Sequence, residues 1–478
     1  MSVQALYSGD KPPSSDDVKC IADLVDRARA AMGAIADADQ TRLNEAVTAL
    51  AWSLYDESHA TELAEIALHD SELGNIPDKI DKVRRKTFGT LRDLMRVSST
   101  GIIEEDIERG IVTYAKPVGV VAAICPSTNP ASTAGNKAMM AIKGGNAIIL
   151  APSPLGYTTT AKTAEFMRQG LEKIGLPIDL VQIVPLPIGK ARTGVLMEAC
   201  DLVVATGSAD NVERAARSGT PDIGVGTGNV PVIVDASADI AASARAISAS
   251  KTYDNSTSCS SENALVILDR VYDETLAALA AEGGHLLNSD QKNALEGVLW
   301  QGGKLNRDLI ARDIPTLAKA AALGDQASRA KFFLIEESDA GPSHPFSGEK
   351  LSLVLTIYRA GDFDAAIERI NSILAYQGKG HSCGIHTGDP EHARKLAALI
   401  PVARVLVNHP HALSHGGSFE NALPFTQSMG CGTWGGNSIS ENLNYRHFLN
   451  LTNLVTKIPM DKPAEDDLFG DHWEKFGK

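Results

Sequence analysis

The chain contains 478 residues, enough for two or three domains with cores of their own, and its composition is ordinary for a globular protein. Lys and Arg number 45 against 59 Asp and Glu, and the net charge of -14 argues against nucleic acid or an anionic membrane as a partner. The first residues lack a signal-peptide pattern, and no apolar run reaches the ~18 residues of a membrane-spanning helix.

The six cysteines are scattered along the chain and form no CxxC pair. The sequence therefore predicts neither a disulfide framework nor a zinc or other metal site. Free thiols persist in a reducing compartment, so we expect a cytoplasmic protein in which a cysteine is available for chemistry.

The first hundred residues are predicted to be helical, because apolar residues such as Leu43, Val47, Leu50 and Leu54 recur at helical spacing. Two extended segments follow from Ile107 and are interrupted at Lys116-Pro117. Strands are then predicted at 146–150, 180–184, 201–206 and 231–235, and helices at 158–171, 191–199 and 211–216. Short apolar runs separated by helices predict a parallel sheet covered on both faces.

A second series of the same kind begins beyond Asp235, where we place a domain boundary. Its predicted strands are 264–269, 331–336, 351–359 and 404–408, and its predicted helices are 240–250, 272–282 and 363–374. The sequence thus predicts an α/β fold with two parallel-sheet domains. The polar terminal stretch 461–478 is predicted to be a flexible tail.

The segment 250–267, SKTYDNSTSCSSENALVI, carries the strongest chemical signal. Cys259 lies there on a polar loop, where backbone N–H groups are expected to lower the thiol pKa and leave room for a substrate. Most cysteines are instead small buried residues, an interpretation that suits Cys20, Cys125 and Cys200. Cys431, surrounded by glycines in MGCGTWGGN, remains a competing nucleophile on local context.

Two further residues are candidates for chemistry. Asn129 lies in a rigid ICPSTNP turn, where its amide could face a developing oxyanion or could simply satisfy the turn. His381 lies in a Gly-rich loop and is expected to be mobile and accessible, as a base for an incoming thiol or as an ordinary surface histidine. The glycine-rich segments 205–211 and 224–231 could receive phosphates, although neither is a GxGxxG motif.

Together these segments resemble the aldehyde dehydrogenase superfamily over roughly residues 43–457. PSTNPASTA, SKTYDN, GHSC and MGCGTWGGNSISENLNYRH are most similar to its CoA-acylating branch. The resemblance implies a Rossmann-like cofactor domain at 1–100 and 119–235, a catalytic domain at 236–430, and a return segment at 431–445. It also implies an oligomerisation β element at 101–118 and 446–460, and hence a homodimer or homotetramer.

By this resemblance, Cys259 is the nucleophile that forms a thiohemiacetal and then a thioacyl-enzyme. Asn129 and the Cys259 backbone N–H form the oxyanion hole, and His381 activates the thiol of coenzyme A. Glu349 binds the nicotinamide ribose, and the turn after residue 205 lies under the cofactor phosphates. The full implied cofactor-binding set is Thr206, Gly207, Ser208, Gly226, Glu349, Pro152 and Ser153.

Two departures from the hydrolytic members refine the prediction. Segment 223–229, IGVGTGN, has no glutamate to activate water, which favours coenzyme A as the acyl acceptor. Segment 149–156 lacks the acidic residue of NAD-preferring members, so NADP is plausible and the sequence leaves NAD or NADP open. Hydrolysis to a free acid is the alternative activity, and a non-catalytic scaffold is a third hypothesis.

The aldehyde substrate is less well determined. His409, His411 and His415 lie on a loop that borders the aldehyde pocket of the superfamily, and three imidazoles could favour an anionic aldehyde. They could equally be surface histidines. Overall likeness favours sulfoacetaldehyde, with succinate semialdehyde and small neutral aldehydes left open.

Overall fold

The computed structural model describes residues 12–478. The segment 1–11, in which the sequence shows no signal-peptide pattern, lies outside the described residues. Asp39 and Asn75 begin two of the first helices, each accepting a backbone hydrogen bond in the first turn. Four helices pack against the first core, as the apolar spacing predicts: Ser15–Gly33, Gln40–Tyr55, Glu57–Ser71 and Ile76–Met95.

A five-stranded parallel sheet forms the centre of the first unit. Its order is Val181–Ile183, Ala147–Pro152, Val120–Cys125, Leu202–Ala205 and Asp222–Gly224. Its helices are Pro130–Lys143, Tyr157–Lys173, Lys190–Ala199 and Ala209–Arg217. The three central strands are fully buried, which explains their continuous apolar runs. The strand order changes direction at Val120–Cys125, so the carboxyl end of this strand lies at a topological switch point.

A seven-stranded parallel sheet forms the second unit. Its order is Gly284–Leu286, Phe332–Glu336, Val354–Ala360, Glu262–Leu268, Val230–Val234, Cys383–His386 and Val405–Val407. Its helices are Ile240–Thr252, Tyr272–Ala281, Ser289–Leu299, Ile314–Ala320, Asp325–Ser328, Phe363–Tyr376, Pro390–Leu399 and His411–Ser414. A two-stranded hairpin, Trp300–Gln301 with Lys304–Leu305, is attached to it.

The boundary predicted near Asp235 is displaced by one strand. Val230–Val234 pairs with Glu262–Leu268 and Cys383–His386, so it belongs to the second sheet. The chain passes between the sheets after Gly224. Alternation of strands and helices does not reveal such a change, because the strand is equally apolar in either sheet.

A third, antiparallel sheet stands apart from the other two and contains Gly101–Asp106, Ile111–Pro117 and Leu449–Val455. The terminal stretch predicted to be a flexible tail contains the helix Glu465–Phe476, none of whose residues is buried. Three acidic residues in its first turn favour helix formation there. Among residues 12–478, no helix combines the length and apolarity needed to cross a bilayer.

Candidate active site

Cys259 lies on the loop that precedes the strand Glu262–Leu268. Three residues of this loop adopt left-handed backbone conformations: Asp254 at φ 48°, Asn255 at φ 51° and Ser256 at φ 60°. Such conformations are unfavourable for residues other than glycine and persist only where the surroundings hold them. Buried hydrogen bonds to the helix Ile76–Met95 supply that constraint and fix the loop that carries the thiol.

A buried ion-pair network joins this loop to Asn129. Asp254 Oδ2 accepts hydrogen bonds from Lys82 Nζ at 2.5 Å and Lys79 Nζ at 3.3 Å. Burial opposes ionisation, but the two ammonium groups outweigh it and lower the pKa of Asp254. Lys82 Nζ also donates to Asn129 Oδ1 at 2.8 Å and Thr257 Oγ1 at 3.0 Å. Because Lys82 occupies its amide oxygen, Asn129 has its hydrogen-donating Nδ2 available for an oxyanion.

The glycine-rich segment 224–231, which the sequence analysis gives as a possible phosphate-binding segment, packs directly on the nucleophile loop. A Cβ placed on Gly228 would lie 2.8 Å from Cys259 Cβ and 2.3 Å from its carbonyl oxygen, so the contact requires glycine. A Cβ placed on Gly226 would lie 3.1 Å from Cys431 Sγ. Cys431 is fully buried whereas Cys259 is partly exposed, so Cys259 is the accessible one of the two candidate nucleophiles.

The protonation of Cys259 differs from the sequence-based expectation. Burial, followed by the neighbouring carboxyl of Glu349, raises the pKa of the Cys259 thiol to about 12. The predicted lowering of this pKa is therefore wrong, because desolvation of the thiolate outweighs stabilisation by the backbone N–H groups of the loop. The resting form of Cys259 is therefore the thiol, and its proton has to leave as the sulfur attacks a carbonyl.

The residues predicted to bind the cofactor phosphates lie at the carboxyl edge of the five-stranded sheet. Ser153 follows Ala147–Pro152, and the turn of Thr206, Gly207 and Ser208 follows Leu202–Ala205. The switch point lies between these two strands, where open α/β sheets bind nucleotides. Ser153 Oγ is buried without a hydrogen-bond partner among the described residues, and Ser208 caps the helix Ala209–Arg217. The unpartnered Ser153 hydroxyl at this sheet edge suits a polar group of a dinucleotide.

Glu349 lies on the other side of the site, close enough to Cys259 to raise its pKa. Its Oε1 is buried and has no hydrogen-bond partner within residues 12–478. Burial raises the pKa of Glu349 to about 8. A buried carboxyl oxygen without a donor fits a ribose hydroxyl of a nicotinamide cofactor bound next to the thiol.

His381 is buried, with 1% of its surface exposed, so the predicted mobile and accessible position is wrong. Its glycine-rich loop is covered by the segment that carries Cys431, whose carbonyl oxygen lies against Gly380. Nδ1 lies 2.8 Å from Ser382 Oγ, and Nε2 is one of the buried ring nitrogens without a partner in the described chain. Burial, with smaller effects from Arg404 and His411, lowers the pKa of His381 well below its usual value. The lowered pKa favours the neutral ring, whose unpartnered Nε2 is the atom at which it would accept a proton.

Two histidines of the predicted aldehyde loop are also buried. Burial lowers the pKa of His411 to about 4 and that of His415 well below its usual value. The rings of His381 and His415 lie 4.6 Å apart, and those of His411 and His415 lie 5.2 Å apart. The lowered pKa values disfavour a charged ring at either position, and burial contradicts the alternative that His411 and His415 are surface histidines. The anion-binding role stays a prediction. His409 is half-buried.

The structure also brings basic residues to the site that the sequence analysis does not single out. Lys82 binds Asn129, and Arg404 is buried near Cys259 and Cys431, with Nη1 donating to Asn442 Oδ1 at 2.8 Å. The available signal was the helical spacing of Lys79, Lys82 and Lys86 in KIDKVRRK. From sequence, such a stripe indicates a solvated helix face, and only the packing shows that it is buried.

A partly exposed cysteine on a loop that Lys82 links to an asparagine amide suits a dehydrogenase that works through a cysteine-bound intermediate. The chain belongs to the aldehyde dehydrogenase family, whose profile matches residues 13–294. Within that family it belongs to the acylating branch, for which a nicotinamide cofactor and coenzyme A are co-substrates. The resemblance, fold class and enzyme class predicted from the sequence are thereby confirmed.

Three comparisons support this placement. The acylating sulfoacetaldehyde dehydrogenase of Cupriavidus necator is 48% identical over 467 residues, which cover 98% of this chain and 95% of the relative. The acylating sulfoacetaldehyde dehydrogenase of Bilophila wadsworthia is 38% identical, covering 96% of this chain and 100% of the relative. The crystal structure of an acetylating aldehyde dehydrogenase from Geobacillus thermoglucosidasius superposes with a TM-score of 0.90 at 31% identity, covering 94% of this chain and 99% of the other.

Proposed function

We propose that the chain oxidises sulfoacetaldehyde to sulfoacetyl-coenzyme A, reducing NAD or NADP. The relatives from Cupriavidus necator and Bilophila wadsworthia carry that activity in their names and support the choice of aldehyde. The observation that carries the acyl transfer is the contact of Gly228 with Cys259. Segment 223–229, which contacts the nucleophile loop through Gly228, contains no carboxylate that could activate water, so the thioester is expected to react with a thiol.

In the proposed first half-reaction, the Cys259 thiol adds across the aldehyde carbonyl. The sulfur bonds to carbon, the thiol proton ends on the carbonyl oxygen, and Nδ2 of Asn129 stabilises the charge that develops on that oxygen. A nicotinamide bound near Glu349 would supply the hydride acceptor. Loss of the hydroxyl proton and of the hydride leaves a thioester on Cys259.

In the proposed second half-reaction, coenzyme A attacks the thioester. Neutral His381 can accept the proton of the incoming thiol at Nε2, the ring nitrogen without a partner among residues 12–478. The carbon–sulfur bond to Cys259 breaks as the bond to coenzyme A forms, and Asn129 again stabilises the oxyanion. The products are an acyl-coenzyme A and the reduced nicotinamide, and the Cys259 thiol is regenerated.

The test is a matrix of assays with sulfoacetaldehyde, succinate semialdehyde and propionaldehyde, each with NAD or NADP, and with or without coenzyme A. We expect the highest kcat/KM with sulfoacetaldehyde, and sulfoacetyl-coenzyme A as the product in mass spectrometry. Sulfoacetate formed at an equal rate without coenzyme A would favour the hydrolytic alternative. Preference for another aldehyde would overturn the substrate proposal alone.

The three-stranded sheet is proposed to mediate homo-oligomerisation. Its strands expose several apolar side chains, and edge strands of this kind need a partner. The exposed residues are Ile102, Leu451, Leu454 and Val455. Changing Leu451 and Val455 to lysine together is expected to convert a dimer or tetramer to monomers in size-exclusion chromatography with light scattering. An unchanged mass would contradict this role for the sheet.

A further inference from the structure

A narrow pocket adjoins the nucleophile loop on the side of the helix Ile76–Met95. Ser258 and Ser260, which flank Cys259 in the chain, form one wall, and their hydroxyl oxygens lie 2.7 Å apart. The helix forms the opposite wall with Lys82, Arg85 and Lys86. Within the described part of the chain, the lining includes these three cations and no carboxylate. The pocket is therefore positive in a protein that is acidic as a whole.

Lys86 is buried, with 4% of its surface exposed, and the contacts of its ammonium group are neutral. Nζ donates to the Gly416 carbonyl at 2.6 Å and lies 5.5 Å from the ring centroid of Phe425. Burial, with repulsion from Arg85 and Lys82, lowers the pKa of Lys86 well below its usual value. Burial thus disfavours the charged form of Lys86, and an anion bound beside Nζ would favour that form again.

Arg85 has donors that remain unused. Nη1 donates to the Leu413 carbonyl at 2.8 Å, whereas Nε and Nη2 are buried and have no hydrogen-bond partner in residues 12–478. Asp81 lies 3.5 Å from Nε, but it is half exposed and also accepts from the Tyr253 hydroxyl. Lys82 differs from Arg85, since Asp254 and Asn129 already occupy its ammonium group. The uncompensated donors of the pocket thus belong to Arg85 and Lys86.

Building on the proposed function, we infer that Arg85 and Lys86 bind the anionic group of the aldehyde substrate, a sulfonate or carboxylate. Ser258 and Ser260 of the pocket wall are the chain neighbours of Cys259, so an anionic group bound there would belong to a substrate whose charge is a few bonds from the carbonyl carbon. A guanidinium and an ammonium together match the several oxygens of one small anion.

The test compares three variants on the helix Ile76–Met95. Lys86→Met and Arg85→Met remove a charge while keeping an unbranched side chain. Arg84→Met is the matched control, because Arg84 packs over the Tyr55 ring at 4.7 Å and does not line the pocket. We expect each pocket variant to lower kcat/KM for sulfoacetaldehyde by about 10- to 100-fold, chiefly through KM. With propionaldehyde, which carries no charge, all three should stay within about threefold of the unsubstituted enzyme.

Equal losses with both aldehydes, or no loss with either, would overturn the inference. A second measurement uses the unsubstituted enzyme, so it does not depend on whether a variant folds. Ethanesulfonate should inhibit propionaldehyde oxidation competitively with the aldehyde, and Arg85→Met should weaken that inhibition. Absence of competition would also overturn the inference. If sulfoacetaldehyde is not a substrate but ethanesulfonate competes, the proposed substrate fails while the anion pocket stands.

Discussion

Cys259→Ala is expected to lower kcat for coenzyme A-dependent aldehyde oxidation by about 10⁴-fold or more. Without the sulfur neither the thiohemiacetal nor the thioester can form, and the remaining groups have no covalent route to the product. Formation of the reduced nicotinamide, followed by absorbance at saturating aldehyde, measures the effect. The change removes one atom from a partly exposed residue, so the melting temperature should stay close to that of the unsubstituted protein.

Cys431→Ala is the matched control, because local sequence context leaves this cysteine as the competing nucleophile. It lies in the same region but is fully buried against Gly226. We expect kcat within about threefold of the unsubstituted value, with a small stability loss from the missing sulfur. Loss of activity in this variant and retention in Cys259→Ala would reverse the assignment of the nucleophile.

Asn129→Ala is expected to lower kcat by about 10²- to 10³-fold, the usual effect of removing one oxyanion donor. The loss should appear in kcat rather than in KM, because the oxyanion forms only during reaction. Steady-state kinetics with the best aldehyde separate the two constants. A residue with a purely structural role would not be expected to lower kcat while leaving KM unchanged.

Asn44→Ala serves as its control. The side-chain oxygen of Asn44 also accepts a hydrogen bond from a buried lysine, Lys143, but it lies in the helix Gln40–Tyr55, away from the nucleophile loop. We expect its kcat to be unchanged within about twofold. A similar kcat loss in both variants would mean that each lysine–asparagine pair supports the fold and that Asn129 has no special role in the chemistry.

Much of the architecture could be predicted because burial on both faces of a parallel sheet leaves a direct record in the sequence. Runs such as NAIIL and ALVIL are continuous and apolar, and the strands Ala147–Pro152 and Glu262–Leu268 are fully buried. The order of the motifs along the chain is sufficient to indicate the family. Sheet membership could not be predicted, because Val230–Val234 would be equally apolar in either sheet.

The electrostatics of the site could not be predicted, because they depend on burial that residue spacing does not encode. The segments around His381, His411 and His415 have the composition of exposed loops. The three side chains are nevertheless buried, and burial lowers their pKa values. Lys82 and Lys86 have the spacing of a solvated helix face but are also buried. In both cases the contacts come from distant segments, so local sequence context indicates the opposite environment.

In the proposed mechanism, the thioacyl-Cys259 intermediate reacts with coenzyme A rather than with water. Mixing enzyme, excess aldehyde and oxidised nicotinamide without coenzyme A tests it most directly. We expect a burst of about one reduced nicotinamide per active site, little further turnover, and an acyl adduct on the Cys259 peptide in mass spectrometry. Adding coenzyme A should then release acyl-coenzyme A and restore steady turnover. Continuous nicotinamide reduction without coenzyme A, at the same rate as with it, would contradict the account.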